Sequence, residues 1–521
     1  MEEIMKSLAL VPVLLLCCAP LYAADGKPGE TLPPGAAVET DPKYPPVVSY
    51  TLKNGLKLLI LEKKFVPTVS FSIAFKVGNV DCPQGKTGLA HLFEHVAFKG
   101  SKTVNTKDYA KEKIVLDKIE TAAKAMIAEE RKPSPDAARL ETLKKKLADL
   151  EKEADAFVLK DEFTQTYKNL GSSGLNAATS MDYTIYMVSL PANQLETLLA
   201  MEADRFKNPV LREFYRERSV VTEEQYMYAT QADRTLFKEL MAAAMTIHPY
   251  RNPIGGWMDD IKTLTMTDAE KFYGTFYVPN NATIAIVGDV KPAEVIRLAE
   301  KHFSGWKPSE LPDTAYTQEP QQKAEKRFSL FFKATPSLRM GFHNPGFYHP
   351  DIYPLVMASE VLSGGKTARF YRNLVEGKQV ALYASAGSAV SVRYPSLFTI
   401  SAAPKAPHTP EELEAAIWEE IERLKKEPPT AWEMEKILNN HDADMVKGME
   451  NSLDLAQNLS LAEQVYGGWK FDWKFGEELR KVKPEDVSRA VAKYLVRENY
   501  TIGIIRPPAA AAPAQSKGDA K

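Results

Sequence analysis

Residues 88–100, GLAHLFEHVAFKG, set His91 and His95 four positions apart, with Glu94 immediately before the second. On a helix, positions i and i+4 lie one turn apart on one face, so both imidazoles can present a nitrogen to one ion while Glu94 stays close by. Zinc held by three protein ligands keeps a fourth position for water and lowers that water's pKa. An unbound carboxylate can then take the proton as the water attacks a carbonyl. Glu94 is the natural base. Taken alone, the same spacing also suits an amphipathic helix that carries two histidines and a solvated glutamate.

Other elements have to hold this helix. VSYTLKNGLKLLILEKK reads as strand, Asn-Gly turn and strand, and VSFSIAFKVG as a further alternating strand, so an antiparallel sheet precedes the helix. Between Thr106 and Asp161 the composition shifts to Lys, Glu, Ala and Leu. Leu140, Leu143, Leu147, Leu150, Ala154 and Phe157 recur in steps of three and four, the spacing of a coiled-coil seam. An earlier run carries Ile119, Ala122, Ala123, Met126 and Ile127, and KPSPD at 132–136 breaks the two apart. The reading is an antiparallel helical hairpin, 106–161, projecting from the domain as either a solvated arm or a docking or gating element. NAATSMDYTIYMVSL and ATIAIVGDV read as later strands and NQLETLLAMEADRF as a helix. Residues 305–325 read as an interdomain linker, and 326–507 repeat the order of elements.

A chain of 521 residues is too long for one core. Lys plus Arg number 66 against 68 for Asp plus Glu, so no global field draws in nucleic acid or an anionic membrane. SLALVPVLLLCCAPLYA is an apolar run too short to span a bilayer, and it ends in small residues at Ala23 and Ala24. It reads as a cleaved secretory signal over 1–24, although Glu2 and Glu3 depart from the usual basic start. A periplasmic or secreted location follows. Cys17 and Cys18 fall within the signal, which leaves Cys82 alone and no internal disulfide. Residues 25–43 read as a flexible leader and 508–521 as a disordered tail.

VGNVDCPQGKTGLAHLFEHVAFKGS resembles the active-site segment of the pitrilysin/insulinase-type zinc peptidases, whose helix carries the inverted motif His-x-x-Glu-His. GLNAATSMDYTIYMVSLP, ERSVVTEEQY, HPYRNPIGGWMDDI and YVPNNATIAIVGDV resemble further signatures of that family in order, and VLSGGKTARFYRNLV resembles its second-half helix. The similarity runs from Tyr44 to Ile505, interrupted by the hairpin. It implies the bacterial two-domain type with an α+β fold of two homologous domains, 44–304 and 326–507. Each would be an antiparallel sheet packed with helices, and the first would carry the inserted coiled-coil hairpin.

The resemblance also implies site residues. The family draws its third zinc ligand from the end of a Glu-x6-Glu pattern, matched here by Glu217 and Glu224. Glu224 is thereby the ligand, and Glu217 a carboxylate behind it that orients the site. Its neighbour Glu223 points about 100° away on a helix. Asn176 and Ala177 match the family's Asn-Ala pair on an edge strand, where a peptide substrate would dock by strand addition. In single-chain members, a second-half Arg and Tyr seven apart bind substrate and stabilise the oxyanion. The aligned positions here are Val375 and Leu382, with Tyr383 one residue off and Arg369 and Arg372 upstream. The implied partner is a homologous zinc-less subunit that supplies the Arg and Tyr, or a second copy of the chain.

The implied function is a secreted zinc metalloendopeptidase that hydrolyses peptides or unfolded polypeptides inside a closed chamber. The reading from another class is a non-catalytic assembly or peptide-binding subunit of the same fold. Loss of zinc ligands marks that class, and here all are present.

Overall fold

The computed structural model describes residues 32–41, 44–313, 316–388 and 393–508. The segment read as a signal lies outside them, as do much of the leader and the tail from 509. Strands β1 (Ala37–Asp41), β2 (Tyr44–Thr51), β3 (Lys57–Glu62), β4 (Thr68–Phe75), β5 (Ser173–Thr179), β6 (Thr184–Pro191) and β7 (Ala282–Gly288) form one sheet in the order β1-β2-β3-β7-β4-β6-β5. Strands β8 (Lys326–Phe331), β9 (Ser337–Asn344), β10 (Ala381–Ser388), β11 (Ser396–Pro404) and β12 (Tyr500–Arg506) form another in the order β10-β11-β9-β12-β8.

Read in matching directions, β3-β7-β4-β6-β5 and β8-β12-β9-β11-β10 are the same topology twice. The final strand of each set of five slots between the first two of that set and runs parallel to the first, β7 beside β3 and β12 beside β8. All other pairs are antiparallel, so the expected antiparallel sheets need correction at one pair each. The final strand is reached through helices, and no hairpin turn forces it to reverse direction.

β7 is buried along its whole length, which requires cover on both faces of the sheet. One face carries helices of its own half. Over the other lies the helix Ser452–Val465 from the second half, whose Leu455, Ala456 and Leu459 pack with Val47, Leu59, Leu61, Ala285 and Val287. Ser460 Oγ sits 2.8 Å from Ser72 Oγ within that contact. In return, a first-half helix, Ala232–Ala244, packs on β9 and β12. Residues 305–325 therefore mark where the chain crosses over, while the packing boundary runs through exchanged helices.

A buried ionic knot closes the seam between the halves. Arg393 reaches Asp81 at 2.6 Å and Asp182 at 3.1 Å. Both carboxylates are also held by tyrosines, Tyr316 on Asp81 at 2.9 Å and Tyr250 on Asp182 at 2.8 Å.

Two sequence readings change. The sheet starts inside the segment read as leader, because Ala37–Asp41 pairs with β2; the Pro and Gly around it masked a five-residue strand. The helical pair is α2 (Tyr109–Glu130) and α3 (Ala137–Asp155), joined through KPSPD, with Asp136 capping α3 by accepting from Ala138 N at 3.0 Å and Arg139 N at 3.1 Å. It is fastened along the domain rather than projecting from it. Leu147 and Ala154 are buried in the first-half core with Ala122, Ala123 and Met126, while Leu140, Leu143, Leu150 and Phe157 pack against that core.

Candidate metal centre and base

His91 and His95 stand on α1 (Leu89–Val96), whose apolar residues Leu89, Ala90, Leu92, Phe93 and Val96 are buried and fix its rotation. Its start is locked by backbone contact. Gly88 has φ +84°, and a Cβ there would lie 2.4 Å from the carbonyl oxygen of Gly255. Gly256, at φ +89°, would strike the Thr87 carbonyl at 2.4 Å in the same way. The amide of Gly88 donates to Asn79 Oδ1 at 3.1 Å. In this way the HPYRNPIGGW loop and the VGNVDC segment grip the first turn.

The next helices along the chain are α4 (Glu162–Asn169), α5 (Leu195–Lys207), α6 (Phe214–Ala229) and α7 (Ala232–Ala244). Glu217 and Glu224 lie on α6, which packs against α1. Oε2 of Glu224 is 3.7 Å from His91 Nε2 and 3.8 Å from His95 Nε2. The three ligand atoms all lie within 4.8 Å of one another, and among the described residues this is the group of His, Cys, Asp and Glu side chains close enough to hold an ion. Zinc–ligand bonds near 2.0–2.2 Å in tetrahedral geometry place donors about 3.3–3.6 Å apart, so zinc fits with a small contraction of a cradle already assembled.

The partners behind these ligands are specific. Glu217 Oε2 lies 3.4 Å from His95 Nδ1, and its Oε1 lies 2.7 Å from Lys99 Nζ. A carboxylate on Nδ1 fixes the ring and leaves Nε2 to face an ion. Tyr228, one turn beyond Glu224, donates its hydroxyl to Glu224 Oε1, and the guanidinium of Arg234 on α7 stacks 4.0 Å over the Tyr228 ring. Glu223 is exposed and takes no part.

Protonation follows from these contacts. Burial, with the charge of His95 added, pushes His91 down to about 4, so it is a neutral donor at ordinary pH. The Glu217 contact raises His95. Burial acts to raise Glu217, but its bonds to His95 and Lys99 outweigh this and hold it low. Burial also raises Glu94, against the bond from Thr179, whose hydroxyl donates to Glu94 Oε2 at 2.6 Å. A carboxylate with a raised pKa beside a group of side chains able to hold a metal suits general base catalysis.

Thr179 ends β5, which among the described residues is an edge strand of the first sheet, so the strand carrying Asn176 and Ala177 terminates on Glu94. Asn176 is exposed, and Ala177 is 8% exposed and paired with Tyr186 of β6. The second-half positions are not gathered into this cradle. Val375 packs against the second core, Leu382 and Tyr383 are exposed on edge strand β10, and Arg369 is buried on Glu433 at 2.9 Å. The counterpart of α1 in the second half, the helix Ile352–Ser363, carries no histidine.

Three side chains in contact with the candidate site escaped the sequence reading. Lys99 and Tyr228 stand four residues after His95 and Glu224, a same-face spacing that could have pointed to them. The contact of Thr179 with Glu94 had no such signal.

The first half matches the family model described as Insulinase (Peptidase family M16) over residues 58–131 and 158–256, and Peptidase M16 inactive domain matches residues 263–440, from the end of the first half into the second. The chain is 28% identical to the zinc protease PqqE of Helicobacter pylori over 486 residues, covering 91% of this chain and 96% of that one. A crystal structure of a protease from Helicobacter pylori superposes with TM-score 0.74 at 26% identity, covering 89% of this chain and all of the other. The first half of the periplasmic protease PqqL from Escherichia coli shares the fold at TM-score 0.64 and 15% identity, over 88% of this chain and 91% of that one. With two copies of one sheet topology, a His-x-x-Glu-His helix in the first alone and both halves matched, the chain belongs to peptidase family M16, the insulinase family.

Proposed function

We propose that this chain is a secreted, periplasmic zinc metalloendopeptidase that cleaves peptides or unfolded polypeptides within a closed chamber. The observation that carries this reading is the convergence of His91, His95 and Glu224 beside a desolvated Glu94, at the end of an unpaired strand edge. Those three side chains would hold a zinc ion, which would supply Lewis acidity and lower the pKa of a water there. Glu94 accepts the proton as water attacks the scissile carbonyl, and returns it to the leaving amine. Thr179 aims that carboxylate, while Glu217 and Tyr228 orient the ligands. A substrate strand pairs along β5, with Asn176 holding its backbone near the reacting carbonyl.

The second half supports a partner. Neither the Val375 nor the Leu382 side chain can donate to an oxyanion, so a homologous zinc-less subunit bearing Arg and Tyr, or a second copy of this chain, closes the chamber. Periplasmic placement is supported by the N-terminal signal pattern and by the location named for the PqqL relative. No described helix is long and apolar enough to cross a membrane.

Digestion of an unstructured peptide library, with and without chelator and alongside metal analysis, tests the reading. Glu94→Gln is expected to keep zinc and lose cleavage. Full cleavage in that variant, or a purified protein without zinc and without chelator-sensitive hydrolysis, overturns it.

A further inference from the structure

The M16 family model passes over residues 132–157, the stretch that holds α3. This stretch nevertheless reaches α6, the helix that bears Glu217 and Glu224. Asp155, the last residue of α3, makes a paired contact with Arg216, at 2.6 Å to one guanidinium nitrogen and 3.0 Å to the other. Glu151 lies one turn earlier, 3.9 Å from the same side chain. Two-point carboxylate–guanidinium pairs fix angle as well as distance.

From Arg216 the charges continue without a gap to the metal cradle. Arg216 is 3.6 Å from Glu213 Oε1, and Glu213 Oε2 is 3.0 Å from Lys99 Nζ. Lys99 Nζ is 2.7 Å from Glu217 Oε1, and Glu217 Oε2 is 3.4 Å from His95 Nδ1. Signs alternate at every step, so each group needs its neighbours to keep its place. The preceding helix α2 grips the entry and the first turn of α6 at two more points. Glu112 pairs with buried Arg212 at 2.6 Å, and Glu120 accepts from Tyr215 at 2.5 Å. Residues 212, 215 and 216 are thus each held by a hairpin carboxylate, directly before Glu217.

We propose that α3 is a positioning element of the metal centre: through Asp155 on Arg216 it sets the first turn of α6, and thereby the placement of Glu217 behind His95 and of Glu224 opposite both histidines. Asp155, Arg216 and Lys99 act through these groups and touch neither ion nor substrate. This inference rests on the zinc reading above. It assigns the hairpin a role in the site and removes the idea of an idle solvated arm.

The test is zinc affinity of the full-length chain, measured by competition with a chromophoric chelator, for Asp155→Asn, Arg216→Gln and the two combined. Asp155 and Arg216 are 31% and 35% exposed, so neither change opens the core. Zinc Kd is expected to rise about threefold to tenfold in each single variant, below or at the edge of the range for direct partners of metal ligands. The combined variant should be no weaker than the weaker single one, because one contact is lost in all three. A second readout needs no metal: amide exchange over 217–224 should quicken in the variants. Wild-type zinc affinity and wild-type exchange in all three variants overturn the proposal. Zinc affinity unchanged by His91→Ala instead overturns the metal reading on which it rests.

Discussion

The hydroxyl of Tyr228 donates to Oε1 of Glu224, which leaves Oε2 to face the Nε2 atoms of both His91 and His95. A carboxylate so tethered is selected for one-oxygen ligation and cannot swing away from the histidines at little cost. Tyr228→Phe keeps the ring under Arg234 and removes only the tether. Zinc Kd is expected to rise about tenfold, the scale on which outer partners of metal ligands act. Chelator competition measures it, and an unchanged Kd would show the tether to be idle.

Thr179 makes a separate prediction, because it touches the base and no ligand. Thr179→Val keeps the shape of the strand and frees Glu94 Oε2. A hydrogen bond to a charged group contributes about 1.5–3 kcal/mol, so kcat/KM should fall by about tenfold or more. Zinc content should stay at the wild-type level. Loss of zinc with cleavage per bound ion unchanged would contradict this division of roles.

At the seam, Arg393 stands between Asp81 and Asp182, with both carboxylates only 1% exposed. Arg393→Met leaves two buried carboxylates without their cation. Breaking a buried pair from one side costs about 3–5 kcal/mol, and chemical denaturation should show a loss of that order. A change under about 1 kcal/mol would mean that the knot is already open to water.

His248 supplies a pH dependence away from the metal. It is 2% exposed among the aromatic rings of Tyr250, Tyr316 and Tyr394, and its Nδ1 accepts from Tyr250 N at 3.2 Å. Burial pushes it from 6.5 down to about 4. The unfolded chain thus takes up a proton that the folded chain refuses. The stability from this group is complete above pH 6.5, is lost as pH falls from 6.5 towards 4, and amounts to at most about 3.5 kcal/mol at about 1.4 kcal/mol per pH unit. His248→Asn, which keeps an acceptor for the Tyr250 amide, should flatten the melting temperature between pH 7 and 5. An equal slope in both proteins would assign the acid sensitivity elsewhere.

How much of the site was readable from the chain depends on the range of the contact. His91, Glu94 and His95 come together by helical repeat alone, and that repeat is local. Glu217 and Glu224 were limited to one face of a helix by the same arithmetic, although their arrival at the histidines waited on α6 packing against α1. Thr179 stayed hidden because nothing near it in sequence marks where a strand end will meet a base.

The same distinction holds for the fold. Alternating and helical patterns in the chain determined the strands after β1, the helices, the doubled order of elements and the histidine pair, because dihedral preference and side-chain period act over a few residues. Tertiary structure alone decided that Ser452–Val465 covers the first sheet, that Ala232–Ala244 covers the second, and that α3 ends on Arg216. An apolar helix face specifies that it must be buried but not which sheet buries it; shape and the geometry of the crossing chain make that choice.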